Sequence, residues 1–273
     1  VPLLDSHGIS LSYTDSGGAG RPVVLIHGWP LSGASWSEQV PALTDAGYRV
    51  VTYDRRGFGG SDKPDTGYDY DTFAADLAGV LEGLDLTDAT LVGFSMGGGE
   101  VARYLGTYGD GRIRSAVFAG AVPPYLLKTE DNPDGGLEEK DVQDMLQGAA
   151  TDREAFLEGF TTGFFSSEGE LKVTEEQRQQ ALALEAEAGD AGLVGCITAF
   201  ATTDFRPDLA TIAVPTLVIH GDSDAIVPFE VSGKRTADSV SGAELVVVED
   251  GPHGFNVSHA DELNRHLLAF LER

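Results

Sequence analysis

Thr90-Leu91-Val92-Gly93-Phe94-Ser95-Met96-Gly97-Gly98 sets a serine between glycines at the end of an apolar run. An apolar run, Thr90 to Phe94, leads directly into the G-x-S-x-G pentapeptide Gly93 to Gly97, and a helical pattern, Gly98 to Tyr108, follows it. Glycine makes up 35 of the 273 residues. Chance alone therefore supplies roughly 0.3 such pentapeptides in a chain of this composition, and the five residues by themselves are weak evidence. A strand before them and a helix after them predict a strand-to-helix elbow. Small residues there let the backbone turn sharply, the serine Oγ stands clear of the sheet, and the helix N-terminus offers free N–H groups and a positive dipole.

Short apolar runs of the same kind recur on both sides of the elbow, at Val23 to Ile26, Val50 to Tyr53 and Ser115 to Ala119, and again at Pro215 to His220 and Glu244 to Val248. Runs that are apolar throughout mark strands buried on both faces. Between them Thr72 to Leu84 carries Phe73, Leu77, Val80, Leu81 and Leu84 at helical spacing, and Ser258 to Leu271 reads as one closing helix with Leu263, Leu267 and Phe270 on one side. This alternation predicts an α/β fold, a mostly parallel central sheet flanked by helices. From Val122 to Asp208 the strand pattern gives way to Glu/Ala/Gln/Leu-rich segments such as Glu175 to Ala188, which predicts an inserted helical cap. The expected organisation is a core in two parts, residues 1–121 and 209–273, with the cap at 122–208.

A serine hydroxyl becomes a useful nucleophile only when a base takes its proton and an acid orients that base. His220-Gly221-Asp222-Ser223-Asp224 and Gly251-Pro252-His253-Gly254 each follow a predicted strand, where sites in open α/β sheets gather. Ser95, Asp224 and His253 are the expected catalytic set, with Asp222 as reserve acid and His259 as rival base. His27-Gly28-Trp29-Pro30 closes the Val23 to Ile26 strand. The backbone N–H groups of Trp29 and Met96 are the expected oxyanion hole, and His27 is expected to hold the loop. Pro30 restricts Trp29 and partly presets the direction of its carbonyl. The cap aromatics Phe156, Phe160, Phe164 and Phe165 are expected to pack cap against sheet.

Composition removes other classes. The chain has 44 Asp and Glu against 18 Lys and Arg, a formal charge of −26, which makes nucleic acid a poor partner. Its one cysteine, Cys196, has no partner for a disulfide, and no Cys/His cluster suggests a metal. No stretch approaches the roughly 18 apolar residues of a membrane helix, and the start lacks the basic and apolar regions of a signal peptide. A protein of the cytoplasm, away from membranes, is expected.

The chain resembles an α/β-hydrolase, and specifically the cofactor-free haloperoxidases, which are esterases and perhydrolases. The likeness runs nearly end to end. It is carried by His27-Gly28-Trp29-Pro30-Leu31-Ser32-Gly33, by Tyr53-Asp54-Arg55-Arg56-Gly57-Phe58, by Tyr68 to Leu77 and by Val92 to Gly97. Leu126 to Thr129, Thr203 to Arg206 and Ser258 to Glu262 add to it. Gly254-Phe255-Asn256-Val257 departs from the more apolar residues of the family there. The resemblance implies a serine hydrolase on small esters that needs no metal and no cofactor. Given a short carboxylic acid and hydrogen peroxide, it would form the peracid, which oxidises halide. Pro30, Phe94, Ile226 and Phe255 are the expected pocket residues. A lactonase or C–C bond hydrolase would use the same triad, and a ligand-binding protein on a hydrolase scaffold is the reading from another class. Homo-oligomerisation stays open.

Between Thr129 and Asp190 stand 17 Asp and Glu against four Lys and Arg, half of the net charge in about a quarter of the chain. Crowded carboxylates repel one another, and added salt shortens the reach of that repulsion. Adaptation to a salt-rich cytoplasm predicts that the melting midpoint at neutral pH rises through about 0.1, 1 and 3 M KCl. A flat or falling series contradicts it.

Overall fold

The computed structural model describes residues 1–273. Six strands lie in the first half: β1 (Leu3–Ser6), β2 (Ile9–Asp15), β3 (Pro22–Ile26), β4 (Arg49–Tyr53), β5 (Ala89–Phe94) and β6 (Ile113–Ala119). The helices α1 (Gln39–Asp45), α2 (Tyr70–Gly83) and α3 (Met96–Tyr108) connect the last four of these in turn. After β6 the chain leaves the sheet through α4 (Glu139–Thr151), α5 (Arg153–Phe164), the two-residue strands β7 (Ser166–Ser167) and β8 (Glu170–Leu171), α6 (Glu175–Ala186), α7 (Asp190–Thr202) and α8 (Arg206–Leu209). It returns as β9 (Thr216–Gly221), α9 (Gly233–Ser239), β10 (Glu244–Val248), α10 (Phe255–Ser258) and α11 (Ala260–Leu271).

The sheet runs β1-β2-β4-β3-β5-β6-β9-β10, parallel from β4 to β10 and antiparallel at β1 and β2. Strand alternation sorts its side chains onto two cores. Val24, Ile26, Leu91, Ala116, Phe118 and Val218 face one, while Val23, Leu25, Val92, Phe94, Val117 and Leu217 face the other. Every residue of β5 and β9 is buried, as the uninterrupted apolar runs predict. β10 is an edge strand, so its alternate residues Leu245 and Val247 meet solvent. No helix is long and apolar enough to cross a membrane.

Three local features differ from the sequence expectation. The β1–β2 hairpin, which turns at His7 and Gly8 with φ of 55° and 83°, carries no long apolar run and gave no strand signal. A second small ribbon, β7–β8, turns at Glu168 and Gly169 within the stretch expected to form the helical cap and to hold no strand. The single closing helix is two, because His259 adopts φ −124° and ψ 39° between α10 and α11, with its Nδ1 held 2.9 Å from Ser258 Oγ.

Between α5 and α6 lies a buried acid that no sequence pattern signalled. Glu185 is 0% exposed; its Oε2 accepts from Thr161 Oγ1 at 2.6 Å, and its Oε1 has no partner. Burial, reinforced by the charge of Glu158 and opposed by Thr161 and Arg178, pushes its carboxyl from 4.5 up to about 8. The folded state therefore holds a proton that the unfolded chain releases near 4.5, so stability falls as pH rises from there to about 8 and then levels. Glu185→Gln should become progressively more stable than the parent across that window, as read by urea midpoints between about pH 5 and 9. Parallel curves contradict the assignment.

Candidate active site

The sheet order brings four strand ends together. β3 and β5 pair in parallel with Ile26 beside Gly93, which sets the loop after β3 against the turn after β5. β9 and β10 pair in parallel with Gly221 beside Val248, and their loops carry Asp224 and His253. Ser95 occupies the turn between β5 and α3 at φ 53° and ψ −120°, a left-handed conformation that a residue with a side chain adopts only under constraint. The constraint is steric. A Cβ on Gly93 would lie 2.5 Å from the Gly97 carbonyl oxygen, and one on Gly97 would lie 2.4 Å from the Ile26 carbonyl oxygen, so glycine alone lets the elbow close against β3.

Around Ser95 the three expected side chains meet. Ser95 Oγ stands 2.8 Å from His253 Nε2, and His253 Nδ1 stands 2.6 Å from Asp224 Oδ2. The carboxylate acceptor assigns the ring proton to Nδ1 and leaves Nε2 to accept from the serine. Asp224 Oδ1 accepts from the backbone N–H groups of Ile226 and Val227 at 2.9 and 2.8 Å. Burial alone would raise the Asp224 carboxyl, but the pull of His253 and His220 outweighs it and holds the group well below the usual carboxylate range. The reserve acid is elsewhere: Asp222 is exposed and its Oδ1 accepts from the Asp250 N–H at 2.8 Å. The rival base His259 bonds Ser258, outside this chain of hydrogen bonds. Cys196 is fully buried, and burial pushes its thiol far up, out of reactive range.

The Trp29 and Met96 N–H groups donate to no protein acceptor, and the Trp29 carbonyl accepts from none. They flank the elbow, since a Cβ on Gly28 would sit 3.0 Å from Ser95 Cβ and Met96 is the first residue of α3. His27 holds this loop as expected. Its Nε2 accepts from the Arg55 N–H at 2.9 Å, its Nδ1 lies 2.8 Å from the Gly28 carbonyl, and burial, with the Arg55 charge, pushes the ring well below its ordinary value. The Trp29–Pro30 peptide is cis.

Beneath the loop lies a network that the sequence did not reveal. The guanidinium of Arg55 donates to Glu100 and, at 2.6 Å, to the His27 carbonyl, while Tyr53 Oη donates to Glu100 at 2.5 Å. Both charged residues are almost wholly buried, so the pair ties α3 to the strand-end loop. A glutamate directly after the three glycines that open α3 is the one signal that could have found it.

A cavity of about 500 Å³ opens on Ser95, and twelve of its fourteen lining residues are hydrophobic. Ile226 lines it as expected, beside Trp29, Val227 and Phe200. Three expected pocket residues do not. Phe94 and Phe255 are buried in the opposite core with Trp36, because Phe94 shares the parity of Val92 along β5, and Pro30 is buried in its loop away from the cavity wall. The cap aromatics divide. Phe156 and Phe160 pack on the Trp29 ring, with centroids 6.1 and 5.0 Å away, and also line the cavity, whereas Phe164 packs edge-on to His253 at 5.0 Å and Phe165 packs on Phe164.

The family model described as the alpha/beta hydrolase fold matches residues 21–260. A bromoperoxidase from Bacillus anthracis has a structure that superposes with a TM-score of 0.96 at 53% identity, covering 100% of this chain and 99% of that one. A non-heme chloroperoxidase of Kitasatospora aureofaciens is 46% identical over 97% of both chains. A bifunctional esterase/perhydrolase of Acinetobacter calcoaceticus is 38% identical, covering 97% of this chain and 96% of its own. The chain belongs to the α/β-hydrolase family, within its non-haem haloperoxidase branch.

Proposed function

We propose that the protein is a serine esterase that carries its substrate's acyl group on Ser95 and transfers it to water or to hydrogen peroxide, with residues 122–208 as the cap over the site. The observation that carries this is the unbroken hydrogen-bond path from Ser95 Oγ through His253 to Asp224 at the floor of an apolar cavity. The kinship with chloroperoxidases and an esterase/perhydrolase supports the choice of acceptor.

In this reading Ser95 Oγ attacks the ester carbonyl carbon as His253 Nε2 takes the hydroxyl proton. The carbonyl oxygen becomes an oxyanion that accepts from the Trp29 and Met96 N–H groups, both free to donate. The intermediate collapses, the C–O bond to the alcohol breaks, and His253 returns the proton to the leaving oxygen. Water or peroxide then attacks the acyl-enzyme by the same route in reverse. Water gives the carboxylic acid, and peroxide gives the peracid, which passes an oxygen to halide to yield carboxylate and hypohalous acid. The redox step thus happens off the enzyme and uses no cofactor. The substrates are a small ester, or a short carboxylic acid with hydrogen peroxide. The reading places the reaction in the cytoplasm, without nucleic acid or membrane as partner, in keeping with a formal charge of −26.

Ser95→Ala and His253→Ala should each lower kcat on p-nitrophenyl acetate by about 10⁴-fold or more, since members of such a unit are not additive. Asp224→Asn should lose nearly as much, and Asp222→Asn little. Wild-type turnover by Ser95→Ala would refute the nucleophile. Water and peroxide compete for one acyl-enzyme, and the Trp29 carbonyl, unbonded in the fold, is the acceptor this reading assigns to peroxide. Pro30→Leu should therefore lower peracid formation more than ester hydrolysis, whereas equal losses would leave Pro30 a loop-shaping residue only.

A further inference from the structure

His220 is fully buried at the end of β9, and the mechanism above does not use it. Its Nε2 lies 2.8 Å from the Val227 carbonyl oxygen and 3.2 Å from Asp224 Oδ2, the same carboxylate oxygen that His253 engages. Its Nδ1 has no partner and faces the backbone of Gly233, where an added Cβ would lie 2.5 Å away. With no acceptor at Nδ1, the ring proton is assigned to Nε2. That single N–H is hydrogen-bonded to Val227, and the same edge lies 3.2 Å from Asp224 Oδ2.

The bond to Val227 matters because of what the same turn does on its other side. The N–H groups of Ile226 and Val227 hold Asp224 Oδ1, and the side chains of both residues line the cavity over Ser95. One imidazole edge therefore touches the carbonyl of the turn that cradles the acid and also the acid itself. The titratable groups that face Asp224 are His253 and His220; its other neighbours at hydrogen-bond distance are backbone N–H groups. A burial cost is already paid for Asp224 as an anion, so an extra donor edge on Oδ2 both spreads its charge and fixes which oxygen His253 meets.

We propose that His220 is a positioning residue for the reaction: through Val227 and Asp224 Oδ2 it fixes the carboxylate that orients His253. The proposal rests on the Ser95-His253-Asp224 reading. It assigns His220 no contact with substrate.

The test is the pH profile of p-nitrophenyl ester hydrolysis by His220→Leu and His220→Gln, with kcat expressed per site titrated by a serine-directed phosphonate. Leucine fills space without a donor, and glutamine keeps an N–H near the position of Nε2. His220→Leu should lose about tenfold in kcat with KM nearly unchanged, the size expected when a buried carbonyl loses its donor. Its acid limb of kcat/KM should move to higher pH, because the Asp224 carboxylate no longer shares its charge with the imidazole edge of His220. His220→Gln should recover most of kcat and return the limb towards that of the parent. An unshifted limb with full kcat per site in His220→Leu, or a His220→Gln variant as impaired as the leucine one, overturns the proposal and leaves His220 a packing residue. If His220→Leu does not fold, His220→Asn, whose shorter amide falls away from Val227, replaces it with the same expectations. Ser95→Ala assayed alongside separates the two levels: its turnover would defeat the underlying reading, whereas an inert Ser95→Ala beside an unaltered His220→Leu defeats only this assignment.

Discussion

The left-handed turn at Ser95 is the constraint on which the rest of the site depends. At φ 53° the residue holds a conformation that costs about 1–3 kcal/mol, and it persists only because the surroundings leave no alternative. The Ser95 N–H is bound by the Ala119 carbonyl of β6 at 2.9 Å, and the Ser95 carbonyl accepts from the N–H groups of Gly98 and Val122. The turn is thus fixed by the neighbouring strand, by its own helix and by the exit from β6. With the backbone so committed, Oγ projects into the cavity while the first N–H of α3 remains free beside it.

Strand parity then decides which aromatic residues do what. Phe94, one residue before Ser95, is sent to the opposite face of the sheet, where it forms a floor with Trp36, Phe164 and Phe255 under His253. On the near face Trp29 anchors to α7 through Nε1, which donates to the Leu193 carbonyl at 3.0 Å, and its ring is packed by Phe156, Phe160 and Phe200. The residue whose free N–H is proposed for the oxyanion is therefore also the residue on which α5 and α7 rest. A shift of those helices would move cavity wall and oxyanion loop together.

Much of this was legible in the sequence, for identifiable reasons. Strands buried on both faces are written as continuous apolar runs, so β3 to β6 and β9 could be placed to within two residues, and the strand ends pointed to Asp224 and His253. The division of Phe94 and Phe255 from the cavity was not legible, because it depends on which face each side chain takes at the end of β5 and the start of α10. Phe156 and Phe160 have the same spacing whether they pack or line a wall. Glu100, His220 and Glu185 were missed because the signal of a buried polar residue is its burial, which no local pattern records. Within Gly254 to Val257 the Asn256 side-chain amide donates to the Ser35 carbonyl at 3.2 Å, and the Asn256 backbone carbonyl accepts from Gln39 Nε2 at 2.8 Å, so this segment ties α10 to the start of α1 and the stretch before it and not to the cavity.

The central claim is that acyl groups pass through Ser95 while His253 and Asp224 move and steady one proton. Rapid acid quench of the protein during turnover of p-nitrophenyl acetate, followed by peptide mass spectrometry, tests it most directly. The account predicts an acetyl group on the peptide that contains Ser95, formed within the first turnover and lost faster when hydrogen peroxide is added, with peracid appearing as the label leaves. An acetyl group on another residue in its place, or steady hydrolysis with no covalent species under conditions that trap one on a known serine esterase, would contradict it.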